Sequence, residues 1–179
     1  MKKIVVLIGS CRDSGNTARL ADAFIQGAKE AGNKVTRFNI AKMNIHGCLD
    51  CKYCHTHDGV CIQKDDMGQI HDALREADLA VIASPIYYAG LTGQMKSVID
   101  RLFVAKGKAF DNIKEAKLLL TYASETGESI VPCIESTRLA VGYLGWELTD
   151  VIQAAGVYNA GEIDGREELD QARKLGVRA

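Results

Sequence analysis

The sequence lacks a charge excess of either sign. Its 22 Lys and Arg stand against 23 Asp and Glu, a formal net charge of −1, so it carries no basic footprint for nucleic acid or for an anionic membrane surface. No apolar run approaches the ~20 residues that a membrane-crossing helix needs. The run at residues 4–8 is too short for a secretory h-region and ends in Gly9-Ser10, so a cytoplasmic location is expected. There is no repeat, no low-complexity tract and no evident nucleophile–base–acid set. Two phosphate-binding signatures are missing as well. The P-loop needs four residues between its glycines, followed by Lys; here five separate Gly9 from Gly15, and Asn16 stands where Lys belongs. The G-x-G-x-x-G fingerprint is absent. Nucleotide cleavage on a P-loop and Rossmann-type dinucleotide binding are thereby excluded.

What is present centres on Gly9-Ser10-Cys11-Arg12-Asp13-Ser14-Gly15-Asn16-Thr17. An apolar strand precedes this stretch, and a helical pattern with Leu20, Phe24, Ala28 and Ala31 follows it. A helix start presents unpaired N–H groups and partial positive charge, which suits a phosphate. Hydroxyls at Ser10, Ser14 and Thr17, the Asn16 amide and the Arg12 charge fit one phosphate monoester, and the small residues allow close backbone approach. The competing reading is an ordinary, well-capped strand-to-helix turn.

With 179 residues the chain suits one domain, 1–179. Strands are expected at 4–8, 34–40, 79–83, 116–123 and 146–155, alternating with five helices. Residues 41–64 read as a long loop, Asp65 and Asp66 as the cap of the next helix, and 106–112 as a polar connection. This alternation implies a parallel sheet with helices on both faces and a ligand at the carboxyl ends of its strands. Three loops leave those ends: the phosphate loop, the aromatic Pro85-Ile86-Tyr87-Tyr88-Ala89-Gly90, and the polar Ser124-Glu125-Thr126-Gly127. A phosphate, a spacer and a flat ring together suggest FMN.

Three motifs resemble the flavodoxin-like, NAD(P)H-dependent FMN reductases: G-S-x-R-x-x-x-N-T at 9–17, A-D-x-x-x-x-x-S-P-x-Y-Y at 77–88, and K-x-x-x-D-R at 96–101. The resemblance implies a flavodoxin-like three-layer α/β/α sandwich on a five-stranded sheet of order 2-1-3-4-5. It implies FMN as cofactor and NAD(P)H as co-substrate, with electrons passed to a small molecule or a redox protein, and a homodimer or homotetramer. Ser10, Arg12, Ser14, Asn16 and Thr17 would hold the phosphate. Pro85, Ile86, Tyr87 and Tyr88 would line the ring, flanked by Ser124, Thr126 and Gly127. The family usually has Pro where this chain has Cys11. Lys96 and Arg101 read as helix-surface charges anchoring the second loop. The near-neutral net charge is unlike the acidic surface of a dedicated electron carrier.

Four of six cysteines fall in the long loop as Cys48-x2-Cys51-x2-Cys54-x6-Cys61. The spacing resembles runs that wrap a cubane, and the loop's position before Asp65-Asp66 resembles that of the iron-sulfur flavoproteins, a subgroup of the same family. Three readings stand: a [4Fe–4S] cluster on these cysteines, metal-free thiols, or zinc with His55 or His57 added. His46, His55, His57 and His71 otherwise read as ordinary loop or surface residues. Cys133 reads as a small hydrophobe on its helix.

Overall fold

The computed structural model describes residues 1–105, 109–127 and 130–179. The strands are β1 (Lys3–Ile8), β2 (Lys34–Asn39), β3 (Leu79–Pro85), β4 (Glu115–Thr121) and β5 (Glu147–Ala154). The helices are α1 (Asn16–Glu30), α2 (Tyr53–Thr56), α3 (Met67–Arg75), α4 (Gly93–Arg101), α5 (Ile130–Gly142) and α6 (Glu167–Val177). The strands form one parallel sheet in the order β2-β1-β3-β4-β5, the flavodoxin-like order expected. β1, buried at five of six positions, shows why a continuous apolar run was the signal. Val5 and Leu7 enter the core layer with α3, α4 and α5, while Ile4, Val6 and Ile8 enter the layer with α1 and α6.

Helix boundaries follow local chemistry. Gly32, at φ +81°, ends α1 as the left-handed C′ residue. Pro132 is the third residue of α5, inside the first turn where no intrahelical N–H is lost. α1 and α6 pack at close range because glycines face each other's backbones. A Cβ at Gly27 would fall on the Arg173 carbonyl, and one at Gly176 on the Phe24 carbonyl and 2.8 Å from the Ala28 nitrogen.

Three expectations need correction. The long loop is not devoid of structure: it opens with a 3-10 turn (Ile40–Lys42) and carries α2 among the cysteines. A one-turn helix is too short to leave a periodic trace. The fourth strand stops at Thr121, and its chain leaves as a loop that still pairs through Tyr122 N–H to the Ala154 carbonyl (3.0 Å). Asp66 does not cap α3 with its side chain. Instead its carboxylate accepts the Asn44 N–H at 2.7 Å, and Asp65 accepts the Met67 N–H at 3.2 Å. The connection expected at 106–112 lies partly outside the described residues.

Candidate functional site

At the carboxyl ends of β1, β3, β4 and β5 lies a cleft of about 340 Å³, within the size range of small-molecule sites. One wall is the phosphate loop and the start of α1, contributing Ser10, Arg12, Gly15, Asn16 and Thr17. The loop is compact because Gly15 has no side chain: a Cβ there would stand 2.8 Å from that of Arg12. Its N–H closes on the Arg12 carbonyl at 3.1 Å, and the Arg12 N–H donates to Ser10 Oγ at 3.2 Å. Gly15 is the N-cap of α1, and no side chain caps that helix. Its first N–H groups are therefore left for a ligand, which is the electrostatic requirement of a phosphate site.

The side chains around this start divide into two groups. Arg12 donates from Nη1 to the Tyr158 carbonyl at 2.7 Å, which holds the guanidinium at the cleft. Thr17 shares a 2.6 Å hydrogen bond with the Thr121 hydroxyl, tying α1 to the end of β4. Asn16 has a different task. Its amide donates to the Asn159 carbonyl (2.8 Å), and its oxygen accepts the N–H groups of Gly161 (3.0 Å) and Ile163 (3.3 Å). The Asn16 side chain thus staples the β5–α6 loop, and only its backbone remains for a phosphate. Ser14 is exposed and lies outside the cleft lining, its carbonyl accepting from Arg19.

From the end of β3 and the loop after it come Pro85, Ile86 and Tyr87. Tyr88 is not with them: the 87–90 turn puts Tyr88 (φ 48°) and Ala89 (φ 60°) in the left-handed region, closed by reciprocal Tyr87–Gly90 bonds of 2.9 and 3.0 Å. That two-residue turn leaves Tyr88 wholly exposed at its tip. Two non-glycine residues at positive φ store strain, a feature that clusters at ligand clamps. The third loop also contributes differently from expectation. Thr121, Tyr122 and Ala123 line the cleft, whereas Ser124 and Thr126 bond to each other (3.0 Å) and, with Gly127, lie outside its lining. Val157 and Tyr158, from the β5–α6 loop, complete it. They were missed, although the same rule that located the other loops covers the carboxyl end of β5.

The cysteine loop forms a second, smaller pocket lined by Cys48, Cys51, Cys54, Cys61 and Arg101. Asp50, Lys52 and Asp58 all take positive φ in winding it. Among the described residues no three His, Cys, Asp or Glu side chains can share a single metal ion. A cubane asks for less convergence, since each thiolate takes its own iron. Two sulfurs already receive N–H donors: Cys48 from the Asp50 backbone (3.4 Å) and Cys61 from Arg101 Nη2 (3.5 Å). Burial, and then the neighbouring cysteines, push the Cys54 thiol up. Four thiols in one pocket, with N–H donors and a cation, fit an anionic metal–sulfur cluster better than a lone ion.

Arg101 overturns its reading as a surface charge. Lys96 does pair with Asp100 in solvent (2.6 Å), but the Arg101 side chain is 1% exposed and forks onto Asp65 at 2.7 and 2.9 Å. Those bonds hold the Asp65 carboxyl down to about 2.

His71 is likewise no surface residue. It is buried, and since a carbonyl can only accept, its Nε2 donates to the Arg101 carbonyl at 3.0 Å. Burial is the main cause that brings His71 down to about 4, below the ordinary value of about 6.5. The unfolded chain therefore binds the proton more readily. Stability is complete above about pH 6.5, falls as pH drops toward 4, and is about 2 kcal/mol lower at pH 5. Urea denaturation at pH 7.5 and 5 should show this loss in the native protein and not in His71→Gln; equal losses in both would refute it.

The comparisons agree with this geometry. Residues 2–141 match the NADPH-dependent FMN reductase family. An iron-sulfur flavoprotein of Archaeoglobus fulgidus is 29% identical over 180 residues, covering 97% of this chain and 77% of that protein. One from Methanosarcina thermophila is 31% identical over 60% of this chain and 56% of its own length. Among solved structures, an FMN-dependent NADH-azoreductase from Bacillus anthracis, in complex with FMN, superposes with a TM-score of 0.74 at 12% identity over 98% of both chains. An NAD(P)H:quinone oxidoreductase from Methanothermobacter marburgensis gives 0.69 at 19% identity, over 99% of this chain and 95% of that one. At such identities the two structures speak for the fold. The chain belongs to the NADPH-dependent FMN reductase family, as an FMN-binding oxidoreductase that draws electrons from a reduced nicotinamide nucleotide.

Proposed function

We propose that the 340 Å³ cleft is the FMN site, with the phosphate at the start of α1 and the ring against Pro85, Ile86 and Tyr87. The observation that carries this reading is the uncapped helix start opening into the cleft. FMN, when bound, supplies hydride and single-electron chemistry, and the protein's share is placement. The backbone N–H groups of Asn16 and Thr17, the Ser10 hydroxyl and the Arg12 guanidinium hold the phosphate. Thr17 and Asn16 fix the two loops on either side of it, while Tyr87 and Tyr158 limit water at the mouth. Ser14, Tyr88, Ser124, Thr126 and Gly127 act indirectly, by shaping their loops. The acceptor is a small molecule or a redox protein.

The protein works as a single cytoplasmic domain and as a homodimer or homotetramer. Support for assembly comes from Val131 and Leu139 of α5 and Tyr143 just past its end, all exposed and spaced at four-residue multiples. Support for location comes from six free cysteines, and no described helix is long and apolar enough to cross a membrane.

Arg12→Ala is expected to weaken FMN binding about 10- to 100-fold, the worth of one charge-assisted contact, while the apoprotein melts within a few degrees of the native one. Isothermal titration with FMN measures it, and an unchanged Kd would remove Arg12 from the phosphate site.

A second reading, an iron-sulfur flavoprotein with a [4Fe–4S] cluster on Cys48, Cys51, Cys54 and Cys61, is favoured by the gathering of four thiols in one pocket. Protein purified without oxygen should then carry about four irons and a matching amount of sulfide per chain. Flavin bands without iron would leave the first reading alone.

A further inference from the structure

We infer that Arg101 is a positioning residue of the thiol pocket, holding Cys61 by an N–H to sulfur bond and facing the bound cluster with a fixed positive charge. This rests on the cluster reading above.

A guanidinium has five N–H groups, and here four have acceptors. Nη1 donates to Asp65 (2.7 Å) and to the His46 carbonyl (2.9 Å); Nη2 donates to Asp65 (2.9 Å) and to Cys61 Sγ (3.5 Å). The fifth, at Nε, is buried and has no acceptor among the described residues. Arg101 also lines the pocket that the four cysteines line.

A purely structural ion pair does not require this arrangement. Burying Arg101 and Asp65 costs desolvation that well-packed apolar residues would avoid. The fork also spends one branch on a sulfur, a poor acceptor unless it is thiolate. A cluster with four thiolates is anionic and becomes more so on reduction. A buried cation and an N–H bond at one sulfur stabilise the reduced form more than the oxidised form and hold the ligand in place. Asp65 fixes the plane of the guanidinium from one side, and the His71 N–H holds the Arg101 backbone from another.

The test uses the native chain, Arg101→Lys, and the neutral pair Arg101→Gln with Asp65→Asn. Lys keeps a charge opposite Asp65 but cannot fork to Cys61, and the neutral pair covers the case in which Lys fails to fold. Each is reconstituted without oxygen with ferrous iron and sulfide. Iron per chain, release of iron to a chelator and the reduction potential under titration with dithionite are then measured.

Both variants should take up iron but release it 10- to 100-fold faster, the usual cost of losing an outer-shell partner. Their one-electron reduction equilibrium should shift at least tenfold toward the oxidised form, about 59 mV. Native release rates and potential in both variants would make Arg101 merely structural and overturn the inference alone. A native chain that binds FMN but takes up no iron would overturn the cluster reading and the inference with it.

Discussion

Adding one methyl group at Gly176 or Gly27 is expected to cost about 2 kcal/mol or more of stability, although alanine is the better helix former by about 1 kcal/mol. The two effects oppose each other, and geometry decides between them. The new Cβ at Gly27 would fall on the Arg173 carbonyl oxygen and 2.9 Å from its carbon; at Gly176 it would fall on the Phe24 carbonyl. These are backbone atoms in the facing helix and cannot rotate aside, so α1 and α6 must separate. Their separation also pulls on the β5–α6 loop, which Asn16 staples to the cleft. Gly68, inside α3 with nothing within 4 Å of its Cβ position, is the control. There alanine should stabilise by up to about 1 kcal/mol. Urea midpoints of the three variants settle the matter. A Gly176→Ala protein as stable as Gly68→Ala would mean that the helices are not in backbone contact.

The second large effect is at the buried pair. Arg101→Met should cost about 3–5 kcal/mol at pH 7, because the Asp65 carboxylate is left without its cation. Adding Asp65→Leu should recover most of the loss, since an apolar pair can replace a buried ionic one. The pH dependence has a fixed sign. In the native protein the Asp65 carboxyl titrates near 2 when folded and near 3.8 when unfolded. Its contribution is thus complete above 3.8 and disappears as pH falls toward 2. In Arg101→Met burial acts on the carboxyl without the guanidinium to oppose it, so acidification should narrow the deficit. Equal stability of the single and double variants at pH 7 would contradict this account.

The sheet was legible because its evidence is local. β1 and β3 are apolar runs, β4 has Leu118-Leu119-Leu120 at its centre, and the helices between them have clear apolar stripes. The strand-to-helix loop at 9–17 was legible for the same reason, lying in nine consecutive residues. What escaped was long-range or misweighed. Thr17 meets Thr121 across 104 positions, and Arg12 meets Tyr158 across 146; no pattern within a window joins them. Arg101 and His71 were open to view. Met95, Val98 and Arg101 follow one another at three-residue steps, and His71 sits at i+4 from Met67 beside Ile70, so both polar residues lie on apolar stripes. A charge on such a stripe signals a buried partner, here Asp65, one of the two acids that the sequence offers as the cap of α3. The tip of the second loop failed for a different reason. The motif puts two tyrosines together, but a two-residue turn must send neighbouring side chains apart.

Helix α4 links the 9–17 loop to the thiol pocket. At its N-cap, Thr92 donates to the Gly9 carbonyl behind the phosphate loop (3.0 Å), and its final residue is Arg101 at the thiols. Nine residues make a rod of about 14 Å. A rod of this kind cannot be lengthened smoothly. One inserted residue adds only about 1.5 Å but swings everything beyond it by about 100°, which would carry the guanidinium off Asp65 and Cys61. The spacing between the 9–17 loop and the cysteines is therefore quantised, open to change by whole turns and closed to fine adjustment.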